Sequence, residues 1–212
     1  GMVLFIYFGS IKTGGKCHEP FFAYMARMKL IRRWGLMRST LPENDAEHTL
    51  QTAMIAHGLA LIRREVMHIP CDPEHCAVLA MYHEVSEIFT GDMPTPVKYF
   101  SRGLRESYKA IEQQARRNIM GTLPEELQPF YSPYILHMEE DGLWPLVKAA
   151  DTLSAFLKCA EEKQAGNREF GEAYETIRTR LYEMKLPEVN WFMDHFAGSF
   201  ALTLDQMKTD RV

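Results

Sequence analysis

Apolar residues recur at helical spacing along most of the chain after residue 20, and the strict alternation that marks strands is nearly absent. Residues 21–33 carry apolar side chains three and four residues apart, which is the stripe of one helical face. Asn44 is well placed to cap a second helix that runs to about Arg64, with Glu47 in the capping-box position. The pattern therefore predicts an all-α protein.

Turn-forming residues separate the later helices. Pro73 suits the first position of a helix that continues to about Phe89, and a proline-rich loop at residues 90–96 follows it. The pattern predicts further helices at about residues 101–120, 123–130, 132–140, 143–164, 167–182 and 189–208. We expect them to pack as one domain, a single helical bundle of residues 21–212, with residues 1–20 as an extension outside it.

The composition is ordinary for a globular protein. The 212 residues are 46% hydrophobic and 25% charged, and the formal net charge of −4 gives no basic field that would indicate a nucleic acid polymer or a membrane as partner. The four cysteines form no CxxC pair, so we expect reduced thiols and no zinc ribbon. The apolar run at residues 2–8 is too short to span a bilayer and lacks signal-peptide features, so we expect a cytoplasmic protein.

Residues 81–92, MYHEVSEIFTGD, place several charges inside an apolar helix. On a helical wheel His83 and Glu87 share one face with Glu84 and with the small Cys76 and Ala80. The opposite face is expected to point to the core and consists of Val78, Met81, Val85 and Ile88. Small residues allow a second helix to approach, so we interpret the charged face as the lining of a cavity. A solvated outer face is the alternative.

Two other positions have the chemistry of metal ligands. His48 lies in the first turn of its helix, where the helix dipole favours the neutral imidazole that a metal requires. A solvated or core histidine is the alternative. Asp151 is surrounded by apolar residues of the predicted helix 143–164, and a buried carboxylate needs a cation. Lys148, one turn earlier, is one candidate for that cation, and a divalent metal is the other.

Together, His48, His83, Glu84 and Asp151 supply two imidazoles and two carboxylates from three predicted helices. This donor set suits Zn, Mn, Fe, Co or Ni, and it is not a thiolate site. It also leaves positions for water and substrate, as a catalytic metal requires. The sequence therefore predicts a site for one divalent transition metal ion.

Four stretches in this order resemble the HD-domain metal-dependent phosphohydrolases, and more closely their bacterial 5′-deoxynucleotidase branch. The similarity covers about residues 21–205 and rests on FFAYMARMKLIRRWGLMR, ENDAEHTLQTAMIAH, LAMYHEVSEIFTGDMPTPVKYF and LVKAADTLSAFLKC. Each stretch alone is a weak signal, whereas the ordered set is specific. The resemblance implies an HD-type α-helical bundle, a homodimer and the hydrolysis of nucleoside 5′-monophosphates.

The resemblance also implies roles for individual residues. His48, His83 and Asp151 match metal ligands, and Glu87 matches the catalytic carboxylate that serves as general base. The other matches are Arg33, which orients the phosphate, Trp34, which limits room near the sugar 2′ position, and Asp92 and Thr95, which contact the substrate from their loop. The alternatives without a catalytic role are membership of a solvated basic face for Arg33, an anchor in the core for Trp34 and stabilisation of a turn for Asp92.

One position departs from the pattern, because the His-Asp pair of the family is His83-Glu84 here. Glutamate is one methylene longer than aspartate and still offers a carboxylate to a metal. We favour an active enzyme because the other matched residues are all present: Glu87, Arg33, Trp34 and Asp92. The alternatives are an HD phosphohydrolase for another phosphate ester and a nucleotide- or metal-binding regulatory protein that has lost turnover.

Overall fold

The structure is a computed structural model that describes residues 11–13, 16–94, 97 and 100–208. Strands β1 and β2 form a small antiparallel hairpin, and the remaining regular elements are helical, which confirms the all-α prediction. The elements are β1 (Ile11–Thr13), β2 (Lys16–His18), α1 (Phe21–Met25), α2 (Asp45–Leu61), α3 (Pro73–Met81), α4 (Glu87–Thr90), α5 (Arg102–Met120), α6 (Gln128–Ile135), α7 (Trp144–Gln164), α8 (Gly171–Glu183), α9 (Pro187–His195) and α10 (Leu204–Met207).

The chain divides into two compact units whose segments interleave along the sequence. The first consists of the chain up to Leu36, Glu43–Thr49 and Met81–Asp141. The second consists of Met37–Pro42, Leu50–Ala80 and the chain from Gly142 onward. Within the described residues, no helix combines the length and the apolar character that crossing a membrane requires.

The predicted start of α2 is confirmed in atomic detail. The Asn44 side chain accepts the backbone N–H of Glu47 at 3.1 Å, and the Glu47 carboxylate accepts the backbone N–H of Asn44 at 3.4 Å. This reciprocal capping satisfies two donors that a helix start leaves open. A π-helical turn at Ile62–Val66 continues α2 beyond its last regular residue. The capping box thus fixes where the helix carrying His48 begins.

The predicted helix 21–33 is shorter than expected. After α1 the chain tightens into a 3-10 helix at Ala26–Leu30, and Ile31 is already extended, with φ −90° and ψ 117°. Arg32 then forms an antiparallel bridge with Asn44. Burial of Phe21 and Met28 fixes the two short helices in the first unit, and the bridge ends them. Apolar spacing alone does not reveal such a competing backbone partner.

The predicted helix 73–89 is interrupted. A tight turn at residues 82–86 separates α3 from α4, with three-residue backbone hydrogen bonds from Val85 N–H to Tyr82 and from Glu87 N–H to Glu84. The expected core face is wrong: Val85, within the turn, is buried, but Met81, the last residue of α3, is 46% exposed. The buried side instead comprises Cys76, Leu79, Ala80, His83 and Glu87.

In the first unit, α5 packs against α1, α4 and α6. Ser101 caps α5 by accepting the backbone N–H of Leu104 at 3.1 Å. The predicted helices 123–130 and 132–140 are replaced by α6 and a 3-10 helix at Met138–Glu140. The buried side chains of this unit include Tyr108, Ile119, Leu123, Ile135 and Met138.

In the second unit, α7 is the central element and contacts α8. It matches the predicted helix 143–164, and its buried residues include Leu146, Val147, Leu153, Phe156 and Leu157. A 3-10 helix at Arg168–Phe170 precedes α8. The expected final helix 189–208 is divided into α9, a 3-10 helix at Ala197–Ala201 and α10.

A buried carboxylate ties a loop to α7 in the second unit. Glu162, 1% exposed, accepts hydrogen bonds from the backbone and hydroxyl of Thr40, the backbone of Leu41 and the side chains of Lys158 and Asn167. Although burial opposes ionisation, these donors together hold the pKa of Glu162 well below its usual range. Glu162 is therefore ionised and anchors the Met37–Pro42 segment.

We expect Glu162→Ala to lower the free energy of unfolding by about 3 kcal/mol or more, because it leaves Lys158 buried without its carboxylate. Chemical denaturation monitored by circular dichroism measures this change. Glu183→Ala, at an exposed position of α8, is the control and should change stability by less than about 0.5 kcal/mol. Equal stability of the two variants would contradict an anchoring role for Glu162.

Candidate functional site

His48 is completely buried in the first turn of α2. Its backbone N–H donates to Asn44 at 3.0 Å, so the capping box and the first helical turn together fix its position. The ring centroid of His48 lies 5.4 Å from that of His83. The buried N-terminal location favours a neutral imidazole, the form in which histidine binds metals. The alternative of a solvated His48 is therefore wrong.

His83 and Glu84 lie in the turn between α3 and α4. His83 is 5% exposed, and the Nε2 atom of its ring lies 3.3 Å from Oε1 of Glu84. The Glu84 side chain is 16% exposed. The two adjacent side chains therefore lie close together and are mostly shielded from solvent within the first unit.

The first unit brings three of the predicted ligands together. His48, His83 and Glu84 each offer one ligand atom, and these atoms all lie within 4.8 Å of one another. Two imidazoles and a carboxylate form a donor set of intermediate softness that suits a divalent transition metal. The residues present therefore fit the metal that the sequence predicts.

Glu87, the first residue of α4, is buried close to these residues. Desolvation, followed by the negative charge of Glu84 and a hydrogen bond with Glu84, raises the pKa of Glu87 to about 12. Negative charge on Asp45 and Asp92 acts in the same direction. Without an added cation, Glu87 is therefore protonated at neutral pH. A cation bound beside it would favour the carboxylate.

Asp45 is a buried carboxylate that the sequence analysis did not single out. It is fully buried at the start of α2, and desolvation raises its pKa to about 7 against the opposing attraction of Arg33. Its side chain also lies close enough to Glu87 for the two carboxyl groups to interact. An acidic residue in the first turn of a helix is common, so the sequence offered no sign that this one faces the site.

Arg33 lies among carboxylates rather than on a solvated basic face. Its Nε atom is 3.4 Å from Oε2 of Glu43, and its terminal nitrogen is 3.7 Å from Oδ1 of Asp45. The Arg33 side chain is 13% exposed. The alternative of a solvated basic face for Arg33 is therefore wrong. Its guanidinium is partly buried near the candidate ligands.

Trp34 and Asp92 are joined through the backbone. Trp34 has φ 57°, a left-handed conformation that is uncommon for a bulky residue and concentrates at functional sites. Its indole N–H donates to Glu43 at 2.7 Å, and its backbone N–H is hydrogen-bonded to the Asp92 carboxylate. Desolvation raises the pKa of Asp92, while Arg33 and this backbone hydrogen bond lower it. Asp92 follows Gly91, whose φ of 69° makes the turn after α4.

The remaining two predicted site residues are Asp151 and Thr95. Asp151 is on α7 in the second unit, with a side chain that is 17% exposed and ion-paired with Lys148. The Lys148 pairing that the sequence left open as an alternative is therefore present. Thr95 lies outside the described residues, so its expected contact with substrate stays a prediction.

Comparison with known proteins identifies the family. A family model described as 5′-deoxynucleotidase YfbR-like matches residues 20–200. The chain belongs to this family. A 5′-deoxynucleotidase of Vibrio parahaemolyticus is 48% identical over 88% of this chain and 97% of its own length. A 5′-deoxynucleotidase of Cronobacter sakazakii is 47% identical over 90% of this chain and 96% of its own. The resemblance seen in the sequence is confirmed.

Solved structures show the same fold. An HD-domain phosphohydrolase of Listeria innocua superimposes with a TM-score of 0.74 at 23% identity, over 85% of this chain and 87% of that one. The HD phosphohydrolase of cyanophage S-2L, solved with dA and one catalytic Zn²⁺ ion, gives 0.58 at 18% identity, over 90% and 99%. The predicted HD-type helical fold is therefore confirmed.

The metal-free protein should lose stability as pH rises from 5 to 8. The pKa of Asp45 is higher in the folded protein than in the unfolded chain, so folding favours the protonated form, and this contribution is lost as pH rises towards about 7. We expect the loss to be about 2–4 kcal/mol. Thermal unfolding in a chelator across this pH range measures it.

Asp45→Asn should reduce the pH dependence, because an amide mimics the protonated carboxyl. Asp194→Asn, at an exposed position of α9, is the matched control and should retain the parental profile. A parental profile that is flat between pH 5 and 8 would contradict the raised pKa of Asp45.

Proposed function

We propose that this chain hydrolyses deoxyribonucleoside 5′-monophosphates to deoxynucleosides and phosphate with one bound divalent transition metal ion. The observation that carries the proposal is the set of buried His48, buried His83 and partly buried Glu84, whose ligand atoms lie within 4.8 Å of one another. Family membership supports the substrate class, since the relatives of Vibrio and Cronobacter are named 5′-deoxynucleotidases.

We propose Asp151 as the fourth ligand beside the two histidines and Glu84, as the matched motif implies. Asp151 forms an ion pair with Lys148, so its carboxylate is placed where it interacts with a cation. The candidate metals are Co, Mn, Zn, Fe and Ni, and the Zn²⁺ in the cyanophage protein supports this range. When bound, such an ion supplies Lewis-acid polarisation and lowers the pKa of water.

Glu87 is the proposed general base. It is buried next to the ligands without being one of this candidate set, so its carboxylate can take a proton from the attacking water. The proton can then pass to the leaving 5′ oxygen. Asp45 interacts with Glu87 and helps to keep that carboxyl oriented towards the site interior.

Arg33 is proposed to bind the non-bridging phosphate oxygens. A guanidinium offers several donors in a rigid plane, which suits a tetrahedral phosphate. Its partly buried position between carboxylates limits its motion before substrate arrives. The phosphate would replace part of the negative charge that surrounds Arg33.

Trp34, Asp92 and Thr95 are proposed to recognise the sugar. Trp34 forms a wall that excludes a 2′-hydroxyl by its bulk, and Asp92 accepts a hydrogen bond from a remaining hydroxyl. The link between the Trp34 backbone and the Asp92 carboxylate supports a shared binding surface. The dA ligand of the cyanophage protein supports a deoxyribose-containing substrate.

A regulatory binding protein is the second candidate function, because Glu84 stands where the family pattern has aspartate. The proximity of its carboxylate to His83 supports metal binding in either case. Another phosphate ester is the alternative substrate. We further propose a cytoplasmic homodimer, with residues 21–212 as the catalytic domain.

Metal-stripped protein should release phosphate only after a divalent metal is restored, with deoxyribonucleotides preferred over matched ribonucleotides. The experiment adds Co, Mn, Mg, Zn, Fe and Ni singly and measures inorganic phosphate. Glu87→Gln should lower kcat by at least about 100-fold, because the amide cannot accept the proton. Glu172→Gln, at an exposed site on α8, should retain parental activity.

Glu84→Asp separates the candidate functions. Release by the parent supports the nucleotidase and establishes that Glu84 is compatible with turnover. Release by Glu84→Asp alone favours the regulatory protein, since the scaffold then lacks only the shorter carboxylate. If neither the parent protein nor Glu84→Asp releases phosphate from any nucleotide, the proposed nucleotidase function is contradicted.

Trp34→Ala should lower the deoxy-over-ribo ratio of kcat/KM by about tenfold or more, because removal of the wall admits the 2′-hydroxyl. Matched 2′-deoxy and ribo monophosphates of one base measure the ratio. Trp191→Ala, in α9, is the control and should leave the ratio unchanged. An unchanged ratio in Trp34→Ala would remove Trp34 from sugar selection.

A further inference from the structure

Glu43 joins the two residues that are proposed to hold opposite ends of the substrate. Its Oε2 atom accepts the indole N–H of Trp34 at 2.7 Å and lies 3.4 Å from Nε of Arg33. The Glu43 side chain is 11% exposed. One carboxylate oxygen, mostly shielded from water, therefore contacts the phosphate-binding cation and the wall beside the sugar.

The backbone fixes this arrangement. The backbone N–H of Arg33 donates to the carbonyl of Glu43 at 3.0 Å, and Asp45 N–H donates to Ile31 at 3.1 Å. The segment around Arg33 and the segment around Glu43 therefore run side by side. This places the Glu43 carboxylate next to both the Arg33 and the Trp34 side chains. The backbone of Trp34 has a positive φ, and the hydrogen bond from its indole N–H to Glu43 holds the ring in one orientation.

The two contacts of Glu43 differ in kind. The Trp34 contact is a hydrogen bond that any well-placed oxygen acceptor can make. The Arg33 contact is an ion pair that requires the negative charge. A substitution that retains the acceptor and removes the charge therefore separates the two effects.

We propose that Glu43 is a positioning residue that couples phosphate binding by Arg33 to sugar discrimination by Trp34. This inference rests on the proposed nucleotidase function. Glu43 acts through these two side chains and touches no reacting atom. Its chemistry predicts that Glu43→Ala disturbs both recognition steps, whereas Glu43→Gln disturbs mainly the phosphate end.

The test measures kcat and KM of the metal-loaded enzyme for matched deoxy and ribo monophosphates. Glu43→Ala should raise KM and lower the deoxy-over-ribo ratio of kcat/KM by about tenfold, the effect of one lost hydrogen bond at its upper range. Glu43→Gln should raise KM but keep the ratio within about twofold, because its amide oxygen still accepts from Trp34. Asp45→Asn, which perturbs Arg33 from its other side, should likewise spare the ratio.

A double-mutant cycle protects the test against a variant that folds poorly. Trp34→Phe keeps an aromatic wall but removes the indole N–H, so it should lower the ratio as Glu43→Ala does. Adding Glu43→Ala to Trp34→Phe should then lower the ratio little further, because the shared contact is already lost. Thermal midpoints of all variants report folding separately.

Equal losses of kcat/KM in the deoxy and ribo series, with an unchanged ratio in Glu43→Ala and Trp34→Phe, would overturn the inference and leave a merely structural role. Additive ratio changes in the double variant would overturn it as well. Absence of phosphate release from the parent enzyme would instead overturn the proposed function, and the inference with it.

Discussion

Burial of carboxylates beside one another dominates the electrostatics of the site. Desolvation, reinforced by repulsion among neighbouring carboxylates, raises the pKa of Asp45 to about 7 and that of Glu87 to about 12. The Arg33 guanidinium relieves only part of this charge. A divalent cation beside His48 and His83 would relieve more of it, so the same constraint accounts for the fit to a metal and for the state of Glu87.

Two departures from regular helix place these side chains. The turn at residues 82–86 carries His83 and Glu84, whose side chains approach to 3.3 Å. The bridge between Arg32 and Asn44 brings Arg33 and Trp34 beside the start of α2, where Asp45 and His48 are located. Irregular backbone at these points is expected, since catalytic groups concentrate where loops are held by rigid elements.

Sequence reasoning found the parts that depend on local rules. The capping box of Asn44 and Glu47 and the long helices α5 and α7 follow from residue type and spacing. It failed at residues 82–86, since a periodic pattern assumes one unbroken helix and the turn changes its phase. Asp45 and Glu43 were missed because their importance arises from neighbours that are distant in sequence. The register between the segments around Arg33 and Asn44 is a tertiary property, and apolar spacing does not contain it.

The position of the Glu84 carboxylate depends both on the local backbone and on the length of its side chain. In an unbroken helix the carboxylate of a residue next to His83 would point about 100° away from it. Three-residue winding does not reduce that separation, but the longer side chain folds back, and its Oε1 lies 3.3 Å from Nε2 of His83. The extra methylene therefore does not carry the carboxylate out of the ligand set, where its oxygen stays within 4.8 Å of the histidine nitrogens. Glutamate and aspartate differ here in the side-chain conformation that brings the carboxylate oxygen to the histidines. We therefore expect glutamate at this position to affect the metal preference and the rate of hydrolysis more than the ability to bind a metal.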